Sequence, residues 1–396
     1  MKRLYDTSLN KLSNAPAGFY RALYYKISDE SQLTGIIGPR GVGKTSLLMQ
    51  LARDKYSDSA VKLYVSLDDP RFSIGGLVEV VDEFAKMGGE LLILDEVDKY
   101  QKIVTDLNLL LAANSHLKIL FACSSAGNDD GVIYELSRIA ELYYLPGLSF
   151  REYLEFRHNL AFPVIPFHEL IEYNRMPGSA VLNRIRPLKY FEEYLKQGYF
   201  PIKEDDENRY LRSVGSIVRA NVAEDIMAAY RIDYESVVKM FRVLTFIANE
   251  GPFKPNIEKL ADYAGTTRDS LLKFLKYMHK AGLIAWLTSG HGDINYLNKP
   301  ARLYLGCTDL HFALSDEDLV RQKTIETFTF NQLRNQHQVN LVKEGQFLID
   351  LEYHFEMEWK MGKSAQMVQN NSFIIVDGIE NQVGNKIPLW MLGFLY

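Results

Sequence analysis

Gly38-Pro39-Arg40-Gly41-Val42-Gly43-Lys44-Thr45 is the stretch that decides the fold. It fits G-x-x-x-x-G-K-[ST] at every position, with an apolar run (LTGII) before it and an apolar-periodic stretch (TSLLMQLA) after it. The loop is therefore expected between a buried strand and a helix. Glycines let successive backbone N–H groups curl around phosphate oxygens, and the helix N-terminus, with Ser46 in its first turn, adds a favourable dipole. In this reading Lys44 reaches the β- and γ-phosphates and the Thr45 hydroxyl ligates Mg²⁺.

A second motif, Leu91-Leu92-Ile93-Leu94-Asp95-Glu96, is an apolar strand that ends in two carboxylates. Carboxylates at the end of a buried strand need partners, and in a parallel sheet that edge is where ligands bind. Asp95 is expected to hold Mg²⁺, and Glu96 to orient or activate the attacking water. Taken alone, Asp95 would serve equally well as a helix N-cap.

Working outward, the first 150 residues alternate short apolar runs with helical patterns, which predicts an α/β fold with a parallel sheet. The expected strands are Leu33–Ile37, Val61–Leu67, Leu91–Leu94, Leu117–Cys123 and Glu141–Leu145. Helices are expected over Thr45–Arg53 and Gln101–Ala113. Runs such as LLIL and LKILFA do not alternate, as expected of strands covered on both faces. The fourth run ends at Ser124-Ser125, where a hydroxyl would sense a γ-phosphate or hold the attacking water; a plain turn is the simpler alternative. Arg138 would supply positive charge to a γ-phosphate from the same or a neighbouring subunit, or is an ordinary exposed helix arginine. No N-K-x-D guanine-reading motif occurs, so ATP is preferred over GTP.

Across 396 residues, 47% are hydrophobic and 24% charged, a composition that excludes a disordered or collagen-like chain. Lys+Arg 45 against Asp+Glu 50 leaves −5, so any nucleic-acid contact must use a local basic surface. Cys123 and Cys307 cannot build a disulfide framework or a multi-cysteine zinc site and are expected as buried thiols. The first residues, MKRLYDTSLNKLSNAPAG, contain no apolar signal segment, and no window approaches 18 apolar residues. A cytoplasmic location without membrane partners is the expectation. From Phe150 to about Tyr230 the pattern turns helical and aromatic, and KEDDENRY (Lys203–Tyr210) reads as a loop or a helix start. A block of helix, helix, turn, helix and hairpin follows from about Ile232 to Leu305, and the last 80 or so residues turn β-rich.

The stretches IIGPRGVGKTSLL, LLILDEVDKY, KILFACSS and LYYLPGLSFREYLEF resemble a group of bacterial and archaeal AAA+ ATPases. The resemblance continues through FEEYLKQGYFP, EDIMAAY and the ending GNKIPLWMLGFLY. LSFREYLEF and the C-terminal tail are its specific parts. It implies a P-loop AAA+ ATPase domain (1–150), a helical lid or connector (151–231), a winged helix (232–310) and an α+β nuclease-like domain (311–396). It also implies an ATP-driven conformational switch.

In the winged-helix block, Ile257–Tyr263 reads as a short helix, Gly265 as a turn, and Thr267–Ala281 as a second helix with Leu271, Leu272, Leu275 and Met278 as its apolar stripe. Leu283–Leu305, broken by SGHGD, reads as the wing. Arg268, Lys273, Lys276 and Lys280 would meet DNA phosphates, or else form a solvated face on a protein-contact module. In the nuclease-like domain the resemblance aligns Glu326, Asp350 and Glu356 with a PD-(D/E)xK metal site. The expected lysine position holds Glu358, and Lys360 follows two residues later, so cleavage is not the expected activity. No histidine pair has zinc-ligand spacing, and the 24 Tyr and 21 Phe are expected in packing. Three readings result: an ATP-hydrolysing switch, an ATP-regulated DNA-binding regulatory or defence protein, and, least favoured, a metal-dependent nuclease. A protein partner is compatible with each.

Overall fold

Five apolar runs of the N-terminal region form one parallel sheet. They are β1 (Leu33–Gly38), β2 (Lys62–Ser66), β3 (Leu91–Asp95), β4 (Lys118–Ser124) and β5 (Glu141–Tyr144), in the order β2-β3-β4-β1-β5. β1 and β3 are buried along their whole length, which is why neither sequence alternates. The edge strand β5 is half exposed. The helices of this region are α1 (Lys2–Ser13), α2 (Ala22–Lys26), α3 (Lys44–Asp54), α4 (Leu77–Lys86), α5 (Ile103–Ala113) and α6 (Asp130–Ile139). The computed structural model describes residues 2–57, 60–72, 76–126, 130–172, 177–287, 300–315, 320–358 and 371–396.

The chain divides into two units, Met1–Gly147 with Ala228–Arg231, and Leu148–Met227 with Ile232–Tyr396. In the first, the chain leaves β1, crosses to the far edge at β2, returns through β3 and β4, and passes over β1 to reach β5. All strands point the same way, so Gly38, Asp95 and Ser124 finish at one edge; Gly38 pairs with Ser124 directly. A reversal of strand order of this kind opens a ligand crevice at the C-terminal edge.

The second unit begins with α7 (Phe150–His158), whose N-terminus carries a capping box: Ser149 Oγ accepts from Glu152 N–H while the Glu152 carboxylate accepts from Ser149 N–H. The chain continues through α8 (Phe167–Leu170), α9 (Ser179–Leu182), α10 (Pro187–Gln197) and α11 (Glu207–Ala220); α12 (Met227–Tyr230), apart from Met227, belongs to the first unit. The Asp206 carboxylate accepts from Arg209 N–H, so KEDDENRY is a helix start. Next come α13 (Tyr234–Glu250), α14 (Ile257–Ala264) and α15 (Arg268–Lys280). Gly265 takes a left-handed conformation between the last two, and Thr267 caps α15. β6 (Ile284–Leu287) and β7 (Arg302–Leu305) form an antiparallel pair to which Phe253 adds a bridge at Leu303; SGHGD lies outside the described residues.

α16 (Asp309–Leu314) and α17 (Arg321–Leu333) lead into a second sheet of β8 (Val339–Lys343), β9 (Gln346–Ile349), β10 (Tyr353–Met357), β11 (Ser372–Val376) and β12 (Lys386–Pro388). Its order is β12-β11-β10-β9-β8, antiparallel from β8 to β10 and parallel from β10 to β12. A 3-10 helix, Leu389–Phe394, ends the fold and packs on α7. The Phe150 ring lies 5.2, 5.3 and 5.7 Å from those of Phe191, Tyr194 and Phe394. The Tyr396 carbonyl accepts from Ser149 Oγ at 2.9 Å and from Arg151 Nε at 3.1 Å. LSFREYLEF and the apolar tail, far apart in sequence, are thus two halves of one packing site. Both cysteines are buried, and neither is in a disulfide. Among the described residues no helix is long and apolar enough to cross a membrane.

Candidate nucleotide site

The loop between β1 and α3 adopts the conformation that its glycines make accessible. Gly41 and Gly43 sit at φ 85° and 95°, where a Cβ would be strained. Gly43 caps α3, so the loop's N–H groups and the helix N-terminus converge. Lys44 is half-buried at the first helical position, and its Nζ donates to the carbonyls of Gly38 at 3.0 Å and Pro39 at 2.9 Å. Withdrawal from water lowers the pKa of this ammonium from its usual value; the carboxylates of Asp98, Glu96 and Asp95 oppose that shift as negative charges.

Asp95, 4% exposed, ends β3 beside this loop. Its Oδ2 accepts from Thr45 Oγ1 at 2.7 Å and from Tyr64 Oη at 3.0 Å, and its Oδ1 accepts from Glu96 N–H at 3.0 Å. Three donors thus replace the water that this carboxylate loses on burial. Burial, with Asp95 adding to it, raises the Tyr64 phenol well above its usual pKa and keeps it a neutral donor. Glu96 takes a left-handed conformation, φ 52° and ψ 42°. That costs a non-glycine residue about 1–2 kcal/mol and is typical of a site where geometry is imposed by function.

The end of β4 completes the edge. Ser124 N–H donates to Asp98 Oδ1 at 2.7 Å, and the Asp98 side chain is wholly buried. Ser125 N–H donates to the Gly38 carbonyl at 3.1 Å. The two serines differ at their hydroxyls: Ser124 Oγ accepts from Ala126 N–H at 3.3 Å, closing a turn, whereas Ser125 Oγ is buried with no hydrogen-bond partner among the described residues. A buried hydroxyl left unpaired beside a phosphate-type loop is the member of the pair with capacity for a ligand.

Arg138 is not part of this cluster. It is exposed in the last turn of α6, which ends where β5 begins. β5 runs parallel to β1, so its start lies at the edge opposite the loop, a strand length of roughly 13–20 Å away. This direction sets Arg138 apart from the loop within its own chain. Three further residues bond to this cluster without belonging to its motifs' expected roles: Tyr64, Asp98, and Arg21, whose guanidinium reaches the loop from before β1. Asp98 sits in the quoted DEVDKY, and its acidity was the available signal; Tyr64 and Arg21 had none.

The donor set fits Mg²⁺ of the kind held by one carboxylate, one hydroxyl, waters and substrate phosphates, because Thr45 and Asp95 already share one point in space. The carboxylates aligned with a nuclease-type site stand on different elements of the second unit: Glu326 on α17, Asp350 just after β9 and Glu356 on β10. Glu326 is bound bidentately by Arg302, at 2.5 and 2.6 Å, and accepts from Tyr304 Oη at 3.0 Å. Asp350 faces the start of β8, accepting from His337 Nδ1 at 2.7 Å and Gln338 N–H at 2.8 Å. Glu356 stands on β10 across from Gln346, Glu358 pairs with Lys386 at 2.8 Å, and Lys360 lies outside the described residues. Among the described residues no group of three or more His, Cys, Asp or Glu is placed to hold a metal ion.

The α/β fold of the first unit, with its five-stranded parallel sheet, fits a P-loop AAA+ domain, and residues 30–154 match the family described as the AAA domain. Among proteins of known sequence, the chain is 25% identical over 275 residues to the uncharacterised protein MJ1637 of Methanocaldococcus jannaschii. The match takes in 66% of this chain and spans 57% of that relative's length. Solved structures with a likeness include the replication initiator DnaA bound to AMPPCP and single-stranded DNA, 15% identical over 70% of this chain and 87% of that one, at a TM-score of 0.27. Another is AMPPCP-bound DnaA from Aquifex aeolicus, 16% identical over 68% and 90%, at 0.26. Scores at that level assign neither a fold nor a ligand.

Proposed function

We propose that the first unit binds ATP with Mg²⁺ and hydrolyses it to ADP and phosphate, and that the change at the site drives a conformational switch. The observation that carries this reading is the Thr45–Asp95 contact at the mouth of the loop, with Lys44 beside it. Gly38 to Ser46 would cradle the phosphates through backbone N–H groups, and Lys44 would exchange its two carbonyl partners for phosphate oxygens. Mg²⁺, when bound by Thr45 and Asp95, would supply neutralisation of phosphate charge. Glu96 would take a proton from the attacking water, and Ser125, rather than Ser124, would report the γ-phosphate. Arg138 would act on a neighbouring subunit's nucleotide. The test is phosphate release from Mg-ATP with and without duplex DNA. Lys44→Ala should abolish binding and turnover, and Glu96→Gln should keep binding and lose most turnover. Undiminished turnover in both variants would overturn the reading.

A second reading, an ATP-regulated DNA-binding regulatory or defence protein, draws on α13 to β7. The helices with their hairpin and the Phe253 bridge support a winged helix, and Lys273 and Lys276 are exposed on α15, away from buried Leu271, Leu275 and Met278. Duplex binding that weakens steeply with salt, and weakens further in Lys273→Ala/Lys276→Ala, would support it. No binding at low salt would end it. A lid at 151–231 and a nuclease-like fold at 311–396, without metal-dependent cleavage, complete the proposed organisation of a cytoplasmic protein that works with a protein partner.

A further inference from the structure

We infer that Arg21 is a positioning residue for the phosphate loop, acting through the Val42 carbonyl; the inference rests on the ATP-site reading above. Arg21 precedes α2 and is 5% exposed, although no sequence motif marks it. Its Nη1 donates to the Val42 carbonyl at 2.8 Å, and its Nη2 donates to the carbonyls of Pro146 at 2.8 Å and Gly147 at 2.9 Å. One guanidinium therefore ties the apex of the loop to the stretch that follows β5, a task suited to its planar fork of donors.

The consequence for the loop follows from the geometry of the peptide unit. In a trans peptide the carbonyl and the next N–H point in opposite directions. Holding the Val42 carbonyl on Arg21 therefore turns the Gly43 N–H away from Arg21. Gly43 is left-handed, at φ 95°, and has no Cβ to restrict its rotation, so this peptide plane is poorly restrained by its own residues. The segment that carries Arg21 is itself clamped along α3. Gln50 Nε2 donates to the Pro16 and Phe19 carbonyls at 3.2 and 2.7 Å, and Arg53 Nη1 donates to the Ala15 and Pro16 carbonyls at 3.0 and 3.1 Å. Tyr20 Oη donates to Asp54 at 2.8 Å. Arg21 is therefore delivered to the loop by a strap fixed to the same helix that the loop opens.

The test measures the Kd of Mg-ATP and the melting temperature for the wild type, Lys44→Ala, Arg21→Ala, Arg21→Lys and Tyr20→Phe. Loss of a charge-assisted bond to the loop should raise the Kd in Arg21→Ala by about tenfold or more. Arg21→Lys keeps the charge and loses the fork, so its Kd should rise severalfold without loss of fold; this variant carries the test if Arg21→Ala does not fold. Tyr20→Phe removes the bond to Asp54 but leaves the Arg21 guanidinium in place, so it should lower the melting temperature with a smaller rise in Kd than either Arg21 variant. Wild-type Kd in a folded Arg21→Ala or Arg21→Lys would overturn the inference, as would a Kd that merely tracks the melting temperature across all three strap variants. Failure of the wild type to bind ATP, or equal binding by Lys44→Ala, would instead overturn the site reading on which it rests.

Discussion

The Thr45 hydroxyl and the Asp95 carboxylate, 50 residues apart in sequence, meet at 2.7 Å where α3 begins and β3 ends. Asp95→Asn keeps an acceptor for Thr45 and Tyr64 but removes the charge. The fold should survive, and ATP affinity measured in EDTA should be unchanged. The additional affinity given by Mg²⁺ should fall about 10–100-fold, as for other groups that place a metal. Titrations with and without Mg²⁺ check this, and an unchanged Mg²⁺ increment in the variant would refute it.

The Arg302–Glu326 pair in the second unit is 5% and 2% exposed and is therefore held together in a dry setting. Removing one partner strands the other. Arg302→Met should destabilise the unit by about 3–5 kcal/mol, whereas Arg302→Met with Glu326→Leu should recover most of that loss. Urea unfolding of the two variants decides the point; equal losses in single and double variants would contradict it.

Asp309, at the start of α16, is wholly buried, with Tyr210 Oη and Tyr199 N–H donating to it. Burial raises its pKa from 3.8 to about 7, against the lowering effect of those hydrogen bonds. The folded state thus holds a proton that the unfolded state releases. Asp309's contribution is fully present below about pH 3.8 and is lost as pH rises through about 7. Asp309→Asn should flatten the fall of stability across that window, by at most about 1.4 kcal/mol per pH unit. Melting temperatures taken at intervals from pH 4 to 8 measure the difference, and parallel profiles would count against the assignment.

Gly393 lies against α7, where an added Cβ would come within 2.5 Å of Phe150 Cβ. That atom adjoins main chain and cannot swing aside. Gly393→Ala should cost about 1–3 kcal/mol through overpacking. A variant as stable as the wild type in thermal unfolding would show that the two motifs meet less closely.

The first unit was readable because its signals are local. Runs buried on both faces reveal β1 to β4 without reference to their neighbours, and a phosphate loop or a strand ending in Asp95-Glu96 carries its chemistry in consecutive residues. Partners that meet only through the fold were invisible. Nothing near Tyr64 announces Asp95, and nothing near Glu326 announces Arg302. Arg138 is a different case, since the direction could have been deduced. A helix that feeds a parallel strand must finish at the strand's N-terminal edge, away from the loop. The contact between α7 and the apolar tail was likewise hidden, because apolar residues specify burial but not a partner.

Leu33 of β1 pairs with Ile119, and Thr34 pairs with Glu141, so the strand that carries the phosphate loop has both of its neighbours encoded much later in the chain. During synthesis the loop would leave the ribosome early, yet wait for β4 and β5 before its strand is enclosed, since non-local pairings form only once the intervening chain is available. Arg21 must wait as well, because Pro146 and Gly147 complete its set of acceptors. Nucleotide capture by a nascent chain would accordingly mark the emergence of β5, so a ribosome-stalled product ending before Glu141 should retain no ATP, while one extended well past Gly147 should.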